Sequence, residues 1–181
     1  MGFGQRKPEQ PQPQDPVAHA RDICLRLLTA RPRTKSELAQ SLTRKGVDPE
    51  VAEGVLARLD EVGLIDDAAF AEVWVRSRHS YQGMAKRALS MELRRKGVAD
   101  EVAAEAVAAV DPAAEEDRAR ELVRKRLRGG SLQSADEQTR IRRLVGMLAR
   151  KGYSEGLAFR VVREELREAN LDADLLDNPP D

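Results

Sequence analysis

The chain has 181 residues, 34% of them charged and only 3% aromatic, with 31 Lys plus Arg against 31 Asp plus Glu. No run approaches the roughly 18 to 20 apolar residues of a membrane-spanning helix, and the opening MGFGQRKPEQPQPQDP has no apolar stretch for a signal peptide, so a cytoplasmic protein with no membrane partner is expected. Cys24, His19 and His79 are too few and too scattered for a metal site, and zero net charge with a pI near 6.8 disfavours a simple basic nucleic-acid binder.

Residues 1–16 hold four prolines and four glutamines, which predicts a disordered N-terminal tail. From 17 onward Ala, Leu, Glu, Arg and Lys dominate, and no strand-length alternation occurs, so the body is all-α. An amphipathic helix over 17–30 is followed by Thr34 to Glu37, a capping box that starts the next. Arg44-Lys45-Gly46 stops it, and Asp48-Pro49 opens a third helix. The pattern recurs. A helix over 67–79 precedes one over 84–95, stopped at Arg95-Lys96-Gly97, with Asp100 as the expected cap of the following helix. A helix over 113–128 precedes Gly129-Gly130-Ser131, read as a flexible connection, then a helix stopped at Arg150-Lys151-Gly152 and restarted at Ser154. Residues 170–181 carry four aspartates and no base, an acidic C-terminal tail.

Aligned on Gly46, Gly97 and Gly152, the three stretches share apolar positions: Leu38 and Leu42, Leu89 and Leu93, Leu144 and Leu148 lie four apart on one helix face. Three repeats of three helices follow, at 17–66, 67–112 and 113–169. Each is too small for a large core of its own, so tandem helix-turn-helix-like units in an elongated, curved array are expected.

The neutral total hides a polarised chain. Residues 17–75 hold 8 bases and 10 acids, whereas 76–151 hold 18 and 11. With Leu89 and Leu93 inward, Arg87 and Arg94 share the outward face, flanked by Lys86, Arg95 and Lys96. With Leu144 and Leu148 inward, Arg142, Arg143 and Arg150 point sideways or outward, joined by Arg140 and Lys151. Bases beside a capping glycine compensate the helix dipole, and the charge order of 113–128, with Glu116–Arg120 and Glu121–Lys125 as i,i+4 pairs, follows the same rule. Mid-helix outward arginines have no such explanation, so binding is expected to concentrate on the second and third units.

Gly63-Leu64-Ile65-Asp66-Asp67-Ala68-Ala69-Phe70-Ala71-Glu72-Val73-Trp74-Val75-Arg76-Ser77-Arg78, followed by Leu89, Glu92-Leu93 and Arg95-Lys96-Gly97-Val98, resembles the RecX regulatory family over nearly all of 17–169. The resemblance implies tandem three-helix repeats and a protein without enzymatic activity or cofactor. It also implies binding to the RecA recombinase filament on single-stranded DNA, and weakly to DNA alone, as a monomer, restraining filament assembly and RecA's ATPase and recombinase activity in DNA repair, recombination and the SOS response. The filament-binding set expected here is Arg76, Arg78, Lys86, Arg87, Arg94, Arg95, Lys96, Arg124, Lys125, Arg140, Arg142, Arg143, Arg150 and Lys151. Where many members begin the second unit's middle helix with Gly-Pro-x-Arg-Ile, this chain has Ala85 at the glycine position and Ala88 at the arginine position, with Gly83 two residues early. Leu64, Ile65, Phe70 and Trp74 are expected to pack as core between modules, Leu64 and Ile65 closing the first module's core, with Asp66 or Asp67 capping the next helix.

The alternative class is a stand-alone DNA-binding protein of tandem helix-turn-helix type. Against it, the helices after the glycine turns open on Pro49-Glu50-Val51 and Asp100-Glu101-Val102, which would present acids to DNA. No nucleophile with a base partner and no P-loop occurs, so no catalytic residue is assigned.

Overall fold

The computed structural model describes residues 15–177, with side chains through 170. Among them are nine α-helices and no strand: α1 (Pro16–Ala30), α2 (Lys35–Arg44), α3 (Pro49–Glu61), α4 (Asp67–Gln82), α5 (Lys86–Arg95), α6 (Asp100–Ala108), α7 (Pro112–Arg128), α8 (Glu137–Arg150) and α9 (Glu155–Asp177). The tail expected over 1–16 falls outside the described residues except for its end. There Asp15 accepts from the Val17 N–H and Pro16 takes the first helical position, so α1 begins one residue earlier than expected. The acidic segment from 170 is helical in backbone as far as Asp177; the expectation for 178–181 lies outside the described residues.

Local sequence sets each helix pair. Thr34 and Glu37 form the capping box, and Asp48 accepts from the Glu50 and Val51 N–H groups ahead of Pro49. The turns repeat three times. Gly46, Gly97 and Gly152 take φ of 74°, 75° and 90°, where an L side chain is strained. The residue after each donates its N–H back to the second leucine's carbonyl: Val47 to Leu42 at 3.1 Å, Val98 to Leu93 at 3.1 Å, Tyr153 to Leu148 at 3.2 Å. The six repeat leucines are fully buried. One expected cap is corrected: Ala99, without a side-chain hydrogen bond, precedes α6, and Asp100 is the first residue inside it, where a carboxylate still complements the dipole.

The chain forms two compact units, one ending at Asp67 and one beginning at Ala68. In the first, α1, α2 and α3 bury Cys24, Leu38, Leu42, Val55, Leu56 and Ile65 as one cluster. The Asp67 carboxylate accepts from the Lys35 N–H at 2.9 Å, at the start of α2.

The second unit contains two clusters, around Leu89 and Leu93 and around Leu144 and Leu148. They meet at a close seam. Ala85 belongs to the buried cluster of the third module, and its N–H donates to the Lys151 carbonyl at 2.9 Å. Lys86 N–H donates to Glu115 at 2.8 Å, and the buried Tyr153 hydroxyl donates to the Gly83 carbonyl at 3.1 Å. The expected flexible connection after Gly129 is corrected too. Leu132 is buried in the third module, and Arg140 donates to the carbonyls of Leu132, Gln133 and Ala135 at 3.0, 2.7 and 2.9 Å. One guanidinium with three carbonyls fixes the segment.

Candidate functional site: an arginine groove

The expected basic residues divide by what they touch. Trp74 and Phe70 stack at 5.6 Å, and two cations approach the Trp74 ring, the Arg78 guanidinium and the Lys96 ammonium, each 4.2 Å from its centroid. Its indole N–H donates to Glu92 at 2.8 Å, and Arg78 approaches the same carboxylate at 3.6 Å. Arg78 and Lys96 therefore cover an aromatic pair. Phe70 and Trp74 are half-buried against the second module's own cluster and Ile65 lies in the first unit's cluster, while Leu64 is 51% exposed. Ile65 thus closes the first module's core as expected, Phe70 and Trp74 pack on the second module's cluster, and Leu64 is corrected: the glycine turn leaves it half in solvent.

Other bases are spoken for. Arg94 pairs with Asp100 at 2.7 Å, Lys151 Nζ donates to the Gln82 carbonyl at the end of α4, and Arg140 holds the 132–135 segment. Arg124 reaches across to α9, 2.6 Å from Glu165 and 3.3 Å from Glu168, and the hydrogen bond to Glu165 raises its pKa. Beside it Arg120 bonds Glu116 and Glu164, both at 2.6 Å, and these bonds raise its pKa; Arg160 joins the same network at Glu116. The Glu116 carboxylate is held below its usual range, first by the Arg120 hydrogen bond. This network clamps α9 on α7. The predicted Glu121–Lys125 pair does not form, because Glu121 pairs with Arg118 instead.

What remains is a smaller set. Arg76, Lys86, Arg87, Arg95, Lys125, Arg142, Arg143 and Arg150 have side chains without an ion pair among the described residues. Three of them converge. Arg142, Arg143 and Arg150 of α8 line an open groove of about 540 Å³ together with Arg126 of α7, over a floor of Leu132, Leu144 and Met147. Among the described residues no carboxylate lines it. Arg126 lies outside the expected binding set, for its partner residues are 16 to 24 positions away and only the docking of α8 on α7 brings them together. Arg87 and Arg95 are exposed on α5 and line no part of this groove.

Four guanidiniums on one groove repel each other, and an anion that enters relieves that repulsion while accepting bidentate hydrogen bonds. The groove is chemically suited to phosphate or carboxylate groups spaced along a polymer or an acidic protein surface. Among the described residues no group of His, Cys, Asp and Glu is arranged to hold a metal, and no helix is long and apolar enough to cross a membrane.

Comparison with known proteins follows the three modules. Residues 20–59 match the description "RecX, first three-helix domain", 66–107 "RecX, second three-helix domain" and 114–162 "RecX, third three-helix domain". "Regulatory protein RecX" of Amycolatopsis mediterranei (strain U-32) is 55% identical over 171 residues, covering 94% of this chain and 97% of its own. The protein of the same name from Streptomyces coelicolor is 52% identical over 164 residues, covering 91% and 86%. The crystal structure of RecX from Lactobacillus salivarius superposes with a TM-score of 0.71 at 18% identity, over 86% of this chain and 97% of that one, a likeness of fold.

Proposed function

This chain belongs to the RecX family of regulatory proteins, and from that premise we propose that it binds the RecA filament on DNA and restrains filament assembly and RecA activity. It acts as a cytoplasmic monomer, with the groove of Arg126, Arg142, Arg143 and Arg150 as its anionic contact. The observation that supports this reading most is that those four arginines share one groove in which no described residue is a carboxylate. Acidic partner surface and the phosphates of filament-bound single-stranded DNA both meet that requirement. Arg87 and Arg95 form a second, looser patch on α5.

The test compares wild type with R126Q/R142Q/R143Q/R150Q and with R87Q/R95Q, against RecA alone, DNA alone and the nucleotide-bound filament at several salt concentrations. We expect wild type to prefer the filament and to slow its ATP hydrolysis and strand exchange. The groove variant should lose most of that inhibition and flatten the salt dependence, by roughly one unit of slope for each arginine that meets a phosphate. Equal affinity for bare duplex and filament would favour the stand-alone DNA-binding account. Full inhibition by the groove variant would remove the groove from the mechanism.

A further inference from the structure

Tyr81, in the last turn of α4, is 85% exposed, more than any other large apolar or aromatic residue with a described side chain. Its ring stacks on no neighbour among the described residues and its hydroxyl has no hydrogen-bond partner there. An amphipathic helix normally keeps aromatic area against its core, as Phe70 and Trp74 do on this same helix. Nothing in the folding of the second unit accounts for a ring left in water.

Its surroundings supply a reason. Tyr81 lines an open groove of about 790 Å³ with Leu122, Arg124, Lys125, Arg128 and Lys151; Arg118 and Glu121 pair with one another at its edge. Lys125 and Arg128 have no ion pair among the described residues, whereas Arg124 is tied to Glu165 and Lys151 to the Gln82 carbonyl. Leu122, half-buried, gives the groove an apolar floor directly below the α4–α5 turn, where a Cβ on Gly83 would lie 2.8 Å from it. A flat aromatic ring with open faces, an apolar floor and unpaired cations on the rim are the elements that hold an unpaired nucleic-acid strand: bases stack, and the cations follow the backbone. Duplex DNA does not fit this description, because its base faces are already stacked.

We infer that the groove beside Tyr81 is a binding site for an unpaired nucleic-acid strand, with Tyr81 stacking on a base and Lys125 and Arg128 meeting its phosphates. This site lies on the opposite flank of α7 from the arginine groove, since residues 125 and 128 line one and residue 126 the other. It stands whichever partner the arginine groove takes.

The experiment measures binding of the full chain, without RecA, to an oligothymidylate of about 15 nucleotides, its uridine counterpart, an abasic version and a duplex. The variants are Y81A, Y81F and K125Q/R128Q; Tyr81 is 85% exposed, so Y81A should fold as wild type. Stacking needs the ring and not the hydroxyl. Y81F should therefore retain affinity while Y81A loses between about 5-fold and 150-fold. Y81A should keep the wild-type salt slope, and K125Q/R128Q should reduce it. The abasic strand should bind wild type as weakly as the normal strand binds Y81A, and Y81A should not distinguish the two. Tight binding of either the thymidine or the uridine strand carries the proposal. Unchanged affinity in Y81A, equal binding of abasic and normal strands, or a Y81A defect seen only with RecA protein would each overturn it. None of those results touches the arginine-groove test, which reads the filament.

Discussion

At Gly152 an added Cβ would lie 2.6 Å from the Ala88 Cβ and 2.7 Å from the Ala88 nitrogen, while at Gly46, the same place in the first repeat, it would meet nothing within 4 Å. Both glycines hold positive φ, so alanine at either costs the left-handed backbone strain, roughly 1 to 2 kcal/mol. Only Gly152 adds a collision with backbone from the second module, which overpacking data place at a further 1 to 3 kcal/mol or so. G46A should therefore lower the urea midpoint modestly and G152A about twice as far. Equal shifts would mean that the α5–α8 seam gives way without cost. The seam also gives the sequence departure its physical reason. Ala85 is buried in the third module and Ala88 lies against Gly152, so small residues at these two places let the modules approach.

The elements carry a second dependence, on pH. Tyr153 lies in the link from α8 to α9, and its buried hydroxyl donates to the Gly83 carbonyl just after α4. Burial, with smaller help from Glu115, pushes its pKa up from 10.0 to about 12. A folded-state pKa above the unfolded value means that the neutral hydroxyl stabilises the fold fully below pH 10, and that this contribution disappears as pH rises through about 12. Wild type should therefore lose stability in that window by an amount on the order of 2 kcal/mol, and Y153F, which cannot ionise, should lose less. At neutral pH Y153F should be weaker by about 1 kcal/mol, for the missing hydrogen bond. Parallel alkaline unfolding curves for the two proteins would count against this linkage.

Periodicity was enough to show the helices, the three glycine turns and the leucine faces, because each is set by residues within a turn or two of one another. Capping at Thr34 and Asp48 was legible for the same reason. Asp100 and Leu64 were misplaced, each by one step of local geometry: a cap shifted by a residue and a leucine left outside a turn. The binding face was harder to read. An outward arginine on a helical wheel says nothing about a carboxylate 41 positions later, and Arg124 finds Glu165 only after α9 docks on α7. The 3% exposed Glu165 shows how complete that docking is. Arg126 and Tyr81 were missed for the converse reason, since their neighbours come from other helices.

At the scale of the molecule, the division at Asp67 has a thermodynamic consequence. The first unit closes its own cluster around Leu38 and Leu42, and the second joins two clusters through the Ala85, Ala88, Gly152 and Tyr153 seam. Cooperative unfolding follows shared buried area, so the second and third modules should melt together and the first separately. Calorimetry should then show two transitions. G46A should lower only one of them, by about 5 °C or more for a unit of this size, and G152A should lower only the other. The same two variants distinguish independence from mere broadening: if a single transition moves with both substitutions, the units unfold as one and the separation by cores has no energetic meaning. If each variant moves its own transition, the tandem repeat is thermodynamically a single module followed by a fused pair. Both grooves proposed for ligands then belong to the fused pair, whose seam joins the end of α4 and the start of α5 to α7 and to the turn after α8.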